Sequence, residues 1–307
     1  MPEKSNERSI EHFHVDMSCD GQCEACEKFF DCDSPQKTVN YERRRIGRAK
    51  KTMAGIKHII AVLAGKGGVG KSLVTSNLAT ALAIRGRTVS VLDQDFDGPC
   101  IPKMMGVLGK KLVIGKKGII PVEGDFGIQV ISTGSILKDE AVLTWFHKMR
   151  RNATEEFLSH VDYGERDYLF IDLPPGTSSD SVNIMTFVPN IAGAVVVTIP
   201  PIVSQIVARR ATRLCQKAGI NVFGIVENMS GYVCPECGSV EDIMQSGGGQ
   251  QLAEDTGVPF LGKIPLDPKL SESSDVGKPF VAAFPDSPAS RAVVTIADTI
   301  ENNLGML

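Results

Sequence analysis

The sequence predicts an α/β fold in which a mostly parallel sheet is covered by helices on both faces. Three observations carry this expectation. From His58 onward, short runs of branched apolar residues alternate with longer segments of helical periodicity. The runs (HIIAVL, TVSVLD, YLFID, GAVVVTI) show no polar alternation, as expected of strands buried on both faces. Several end in an aspartate or a glycine-rich turn, at the carboxyl edge where ligands bind in such sheets. The 307 residues suffice for one large domain with a sizeable core, or two small ones.

Residues 1–40 stand apart. They are polar, poor in branched apolar residues, and hold four of the eight cysteines: Cys19, Cys23, Cys26 and Cys32. Too little apolar material surrounds these thiols for a core, so a shared metal would give the segment its order. Their spacing is tighter than the separated pairs of zinc sites and nearer to ferredoxin-type ligation of a [4Fe–4S] cluster. Zinc and redox-active or free thiols are the alternatives, with His12 and His14 as rival ligands or solvated tail residues. Residues 41–56 (YERRRIGRAKKTMAGI) are basic and read as a helical linker, either a solvated face or a docking surface for an acidic partner. Residues 57–307 then form the α/β domain.

The polar start has no secretory pattern, and no apolar run approaches the ~20 residues of a membrane span. The expectation is a cytoplasmic protein with no membrane role. A net charge of −3 argues against nucleic-acid binding through bulk positive charge. In a reducing compartment, eight cysteines favour metal or cluster ligation over disulfides.

The stretch HIIAVLAGKGGVGKS organises the domain. A buried strand over His58–Leu63 runs into a glycine-rich turn, then Lys71 and Ser72, the strand–loop–helix order of a P-loop. Gly65, Gly67, Gly68 and Gly70 let the backbone around Lys66 and Val69 curl, so that successive N–H groups point at phosphate oxygens. Lys71 reaches the outer phosphates and Ser72 offers a hydroxyl to Mg²⁺. A helix from Ser72, closed by Gly86, turns its positive end toward the same phosphates. The second strand, Thr88–Asp93, opens the acidic cluster DQDFDGP. Of Asp93, Asp95 and Asp97, one can orient or deprotonate an attacking water and another can hold Mg²⁺. Asp97 reads as a turn residue before Gly98-Pro99.

Further on, residues 115–133 suggest a hairpin, and 139–160 a helix with Trp145 in the core. Tyr168–Asp172 is a third buried strand whose aspartate reads as a Walker B contact to Mg²⁺ through water. Pro174-Pro175-Gly176 stiffens the next turn and would leave the Gly176 N–H free to sense a γ-phosphate. Strands over 193–199 and 221–226 flank a helix over 204–218. Cys215 in that helix and Cys100 read as small packing residues. Asn228, at the end of the last strand, matches the N6 and N7 edge of adenine, or serves as a strand cap. Cys234-Pro-Glu-Cys237 supplies two thiolates, half of a tetrahedral site. The other half would come from the N-terminal cysteines or from a second copy across a symmetric dimer. Half of a zinc ribbon and a redox pair are the alternatives. Residues 287–307 read as a closing helix.

With Lys66 ahead of Lys71, KGGVGKS resembles the deviant Walker A of the MinD, ParA and nitrogenase iron-protein ATPases. DLPPGTSSD, ENMSGYVCPEC and SGGGQQLAEDTGVPFLGKIPLDP narrow the resemblance to the Mrp-type iron–sulfur cluster carriers of that group, over roughly residues 57 to 300. The resemblance implies that Lys66 crosses a dimer interface to the partner's nucleotide and that Asp95 activates water, with Asp93 supporting the metal shell. It also implies that Asn228 recognises the purine, and that Cys234 and Cys237 bridge a [4Fe–4S] cluster between two copies. The N-terminal cysteines are similar to those of the eukaryotic cytosolic scaffold branch, whose second cysteine follows a longer gap than the three residues between Cys19 and Cys23. The implied function is an ATP-dependent scaffold, a homodimer or a heteromer with a paralogue, that delivers [4Fe–4S] clusters to apo iron–sulfur proteins. Two rivals stand beside it. A MinD-like or ParA-like positioning ATPase needs a membrane or DNA surface, and the closing helix carries too little positive charge for the membrane role. An electron-transfer ATPase resembling the nitrogenase iron protein would lack the CPxC pair.

Overall fold

The first strand, β1 (Ile56–Ala64), lies in the middle of the sheet, and the rest of the chain is arranged about it. The computed structural model describes residues 46–136, 147–242 and 245–305. Cys19, Cys23, Cys26 and Cys32, His12, His14 and Trp145 lie outside the described residues. After β1 come α1 (Lys71–Ile84), β2 (Val89–Asp93), β3 (Gln129–Ile131), α2 (His147–His160) and β4 (Arg166–Asp172). Then follow α3 (Ser179–Phe187), β5 (Ile191–Thr198), α4 (Ile202–Lys217), β6 (Val222–Val233), α5 (Gly248–Thr256), β7 (Phe260–Leu266) and α6 (Pro288–Gly305).

Among the described residues the main sheet has nine strands. Seven of them run parallel in the order β7–β6–β5–β1–β4–β2–β3. Short antiparallel strands extend both sides: Val122–Glu123 on β3 and Val240–Glu241 on β6. The expected hairpin before β3 is present as that pair, beside a separate ribbon of Val113–Ile114 and Ile119–Ile120. Parallel strands at the centre need both faces covered, and Ile60, Ala61 and Val62 of β1 are fully buried. α1 is buried on nearly every side, which is why its sequence lacks a clean polar face. α6 shows the opposite pattern. Its apolar stripe (Ala289, Val293, Ile296, Ala297, Ile300, Leu304) packs into the main core, and its polar residues other than Ser290 lie outside that stripe.

Register places the chemistry. Val62 of β1 and Asp93 of β2 both pair with Asp172 of β4, so both aspartates lie beside the loop that leaves Ala64. β6 does not stop at Val226 but runs to Val233, and Asn228 sits inside it rather than capping its end. The extension comes from β7, which pairs Ile264 with Asn228 and Leu266 with Tyr232. No described helix is long and apolar enough to cross a membrane.

Candidate nucleotide site and cysteine hairpin

β1 runs directly into the loop Gly65–Gly70, and α1 starts at Lys71. The turn is possible because Gly70 takes a left-handed conformation (φ 83°), where a side chain is disfavoured. A Cβ there would also fall 2.1 Å from Asn228 Nδ2. Gly65 lies against the backbone of α4, with a hypothetical Cβ only 2.2 Å from the Val207 carbonyl carbon. Val69 is buried and pins the loop, whereas Lys66, Gly67 and Gly68 are exposed. Among the described residues no side chain caps the start of α1, so its first-turn N–H groups and positive end are offered to an anion.

Asp172 is the hub beneath this loop. It is fully buried, and its Oδ2 accepts from Lys71 Nζ at 2.5 Å and from Ser72 Oγ at 2.6 Å. Its Oδ1 accepts from Thr75 Oγ1 at 2.7 Å. Asp93 is buried beside it and accepts from the Asp95 N–H and from Ser132 Oγ, both at 3.1 Å. Burial, and then the charge of Asp172, push the Asp93 carboxyl up to about 8 against the pull of Lys71. Asp95 is less buried, and burial likewise raises its carboxyl, opposed by Lys71. Asp97 is more than a turn residue. Its Oδ1 accepts from Arg150 Nη2 at 2.6 Å, and Arg150 Nη1 donates to Asp180 Oδ2 at 3.3 Å, tying the acidic loop to α2 and α3.

The residues fit a magnesium nucleotide. Ser72 Oγ, Asp93 and Asp172 are an all-oxygen donor set, the hard chemistry that Mg²⁺ prefers. Beside Gly70 opens a mainly apolar cavity of about 540 Å³, lined by Leu73, Asn228, Met229, Tyr232 and Pro268 among others. Asn228 Nδ2 donates to the Val69 carbonyl at 2.9 Å, so the side chain expected to read a purine also braces the loop. The Gly176 N–H, by contrast, is not free for a phosphate. It donates to the Ala64 carbonyl at 2.8 Å, continuing the bonding of the β1–β4 edge. Buried polar atoms follow it closely: Ser178 Oγ, Asp180 Oδ1 and Ser181 Oγ have no hydrogen-bond partner among the described residues.

The second cluster of chemistry sits where β6 ends. The Cys234 N–H donates to the Ser239 carbonyl and the Gly238 N–H to the Cys234 carbonyl, both at 2.8 Å. These bonds close a tight hairpin that returns through Val240–Glu241. Cys234 is half-buried and Cys237 exposed. Ser239 Oγ lies 3.1 Å from Cys237 Sγ. The hydrogen bonds from Ser239, with a further contribution from Cys234, lower the Cys237 thiol and favour thiolate. Among the described residues no three His, Cys, Asp or Glu side chains gather into a metal site. The hairpin alone therefore supplies two ligands.

The other two described cysteines differ from each other. Cys215 is fully buried in α4, as expected of a packing residue, and burial pushes its thiol up to about 12. Cys100 is exposed and is not a core residue; the adjacent Ile101 fills the core instead. Sequence reasoning missed Thr75, Ser132 and Arg150. Thr75 lies four residues after Lys71 on one helix face, a spacing that would have found it. Ser132 and Arg150 carry no such local signal.

A family profile described as NUBPL iron-transfer P-loop NTPase matches residues 55–301. The chain belongs to this family. Its relatives include the iron-sulfur cluster carrier protein of Saccharolobus solfataricus, 44% identical over 254 residues that cover 82% of this chain and 86% of the relative. The cytosolic Fe-S cluster assembly factor NUBP2 of Bos taurus is 43% identical, over 81% of this chain and 93% of its own. Among solved structures, a nucleotide-binding protein from Archaeoglobus fulgidus in complex with ADP is 36% identical with a TM-score of 0.67, covering 76% of this chain and 92% of that one. The cell division ATPase MinD of Pyrococcus furiosus is 25% identical with a TM-score of 0.59, over 80% and 99% of the two chains. As an iron-transfer P-loop NTPase, the chain carries its nucleotide loop and its cysteine hairpin on one sheet.

Proposed function

We propose that this chain is an ATP-dependent scaffold that carries [4Fe–4S] clusters and hands them to apo iron–sulfur proteins, with ATP hydrolysis controlling a dimer. The observation that carries the reading is the two-thiol hairpin at the end of β6, a strand that also braces the P-loop. Half a ligand set on an exposed hairpin is completed most simply by a symmetry-related copy, where two Cys234–Cys237 pairs face one cluster. A site held half from each side can open, which suits a cargo that must leave. Relatives named as iron–sulfur cluster carriers and a cytosolic assembly factor support the cargo and a cytoplasmic setting.

The nucleotide half follows from the residues around Asp172. Lys71 neutralises Asp172 at rest, and phosphate oxygens of ATP compete for the same ammonium. Mg²⁺, when held by Ser72 with Asp93 and Asp172, supplies further charge neutralisation at the phosphates. Asp95, less buried than its neighbours, orients the attacking water and accepts its proton. Lys66, exposed at the loop, reaches across the proposed dimer to the partner's nucleotide. Asn228 and the cavity beside it hold the base. Cys19, Cys23, Cys26 and Cys32 hold a second cluster in each copy, a role that rests on their spacing alone. The test is anaerobic reconstitution with iron and sulfide, followed by iron, sulfide and zinc analysis across a gel-filtration profile. A brown dimer with iron and sulfide in equal amounts supports the reading; a colourless, zinc-loaded protein overturns it.

A further inference from the structure

The motifs ENMSG and SGGG stand out in the sequence, and apart from Asn228 neither the phosphate loop nor the cysteine pair uses them directly. In the structure they meet. Glu227 is a fully buried carboxylate on β6. Its Oε1 accepts from Ser230 Oγ at 2.5 Å and from the Gly247 N–H at 2.9 Å, and its Oε2 accepts from the Gly249 N–H. Gly247 and Gly249 open α5 and follow the return strand of the cysteine hairpin in sequence. Glycine is required for this approach. A Cβ on Gly249 would fall 2.8 Å from Glu227 Cβ, and one on Gly248 would fall 2.0 Å from Gln205 Nε2.

The next residue on the strand faces the other way. Successive side chains of a strand point to opposite faces, and Asn228 Nδ2 donates to Val69 of the P-loop. Glu227 and Asn228 thus bind the start of α5 and the nucleotide loop from adjacent positions. Immediately after them the strand is irregular. Met229 (φ 55°) and Gly231 (φ 83°) are both left-handed. The pairing with β7 slips from Ile264–Asn228 to Leu266–Tyr232, so that β6 spends two extra residues in a bulge. A left-handed methionine inside a strand is strained, and such strain persists only where the surroundings hold it. Cys234 lies just beyond.

We propose that the bulge Glu227–Gly231 is the positioning element that carries the nucleotide state of the P-loop to Cys234 and Cys237, with Glu227 anchoring the bulge to the start of α5. A displacement of Val69 acts on Asn228. Through the shared backbone it shifts the bulge, and the bulge moves the outgoing arm at Tyr232–Cys234 with its paired strand Val240–Glu241. What the thiols hold rests on the proposed function above; the route does not. Glu227→Gln tests it, because the amide places a donor against the glycine N–H groups while keeping the side chain's size.

The experiment uses the intact, metal-free chain and follows iodoacetamide alkylation of Cys237 by peptide mass spectrometry, with and without Mg²⁺-ATP, alongside ATP affinity. In the native chain ATP slows Cys237 labelling by about fivefold or more. In Glu227→Gln the ATP effect on labelling disappears while ATP affinity is retained. Ser230→Ala, which removes one donor and leaves the glycine bonds, keeps an intermediate response; it decides the matter if Glu227→Gln fails to bind ATP. An ATP response in Glu227→Gln equal to the native one, or none in the native chain, overturns the route. A native ATP response that Glu227→Gln abolishes, in a protein that never loads iron, supports the route and removes the cluster reading instead.

Discussion

The nucleotide site and the cysteine hairpin lie on the same sheet but differ in how much one chain supplies. Around Asp172 nearly everything is internal: a buried carboxylate, three side-chain donors, and a second buried carboxylate alongside. At the hairpin Cys237 is exposed and Cys234 half-buried, and no third ligand stands beside them among the described residues. The internal site is costly to hold without its counter-charge, because Asp93 and Asp172 repel in a dry environment. The hairpin costs little when bare. One site draws its groups from a single chain; the other, under the proposed function, is shared between two.

The largest expected effect breaks the internal site. Lys71→Ala should lower ATP affinity by about 10²-fold or more, since the phosphates lose their main positive partner. It should also destabilise the fold by roughly 3–5 kcal/mol, because Asp172 is left buried and unpaired. Iron binding at the hairpin should survive, as no cysteine is touched. Titration calorimetry, thermal unfolding and iron analysis check the three parts, and unchanged ATP affinity would remove the P-loop assignment.

Asp95→Asn comes next. It keeps the shape but loses the carboxylate proposed to orient water, so ATP should still bind while hydrolysis falls by about 10²-fold. Normal turnover in Asp95→Asn together with loss in Asp93→Asn would mean that the two roles are exchanged.

A third substitution sharpens the contrast in cost. The folded chain holds the Asp93 carboxyl near 8, well above its ordinary value near 4. It therefore stays protonated when folded at a pH where the unfolded chain has already ionised, and stability falls as pH rises through that window. Asp93→Asn should accordingly raise the melting temperature of the nucleotide-free protein by about 3 °C or more. The gain should grow from about pH 4 to about 8 and level off above, and Mg²⁺-ATP should stabilise the variant less than the native chain. A pH-independent difference in melting temperature would contradict the account.

The smallest expected effect is at the exposed site. Ser239→Ala removes a hydrogen bond that favours the Cys237 thiolate, so alkylation of Cys237 at neutral pH should slow by about twofold. The difference should vanish at a pH well above the thiol range. Persistence there would point to altered access rather than altered ionisation.

The same contrast explains what the sequence made legible. The glycine loop, Lys71, Ser72 and the strand-end aspartates were readable because their signals are local: spacing, an apolar run, a turn. The brace from Lys71 to Asp172 spans 101 residues and could be inferred only through the motif. Other features were misread because a distant partner decides them. β7 lengthens β6 past Asn228, Ala64 takes the Gly176 N–H, and Arg150 turns Asp97 from a turn residue into an ion-pair partner. Cys100 looked like a core residue by type, but Ile101 holds the core position beside it. The thiol pair was legible from Cys-Pro-Glu-Cys, whereas the hairpin that carries it, and the contact of Glu227 with residues about twenty positions later, were not.

The central claim is that the hairpin is half of a shared cluster site, and counting iron per dimer tests it most directly. With one cluster in each N-terminal segment and one across the interface, the reconstituted native dimer should hold about twelve irons. The variant with both Cys234 and Cys237 replaced by Ala should hold about four fewer, and in the absence of nucleotide should elute as a monomer. A double variant that remains a dimer with its full iron content would show that these two cysteines do not bridge.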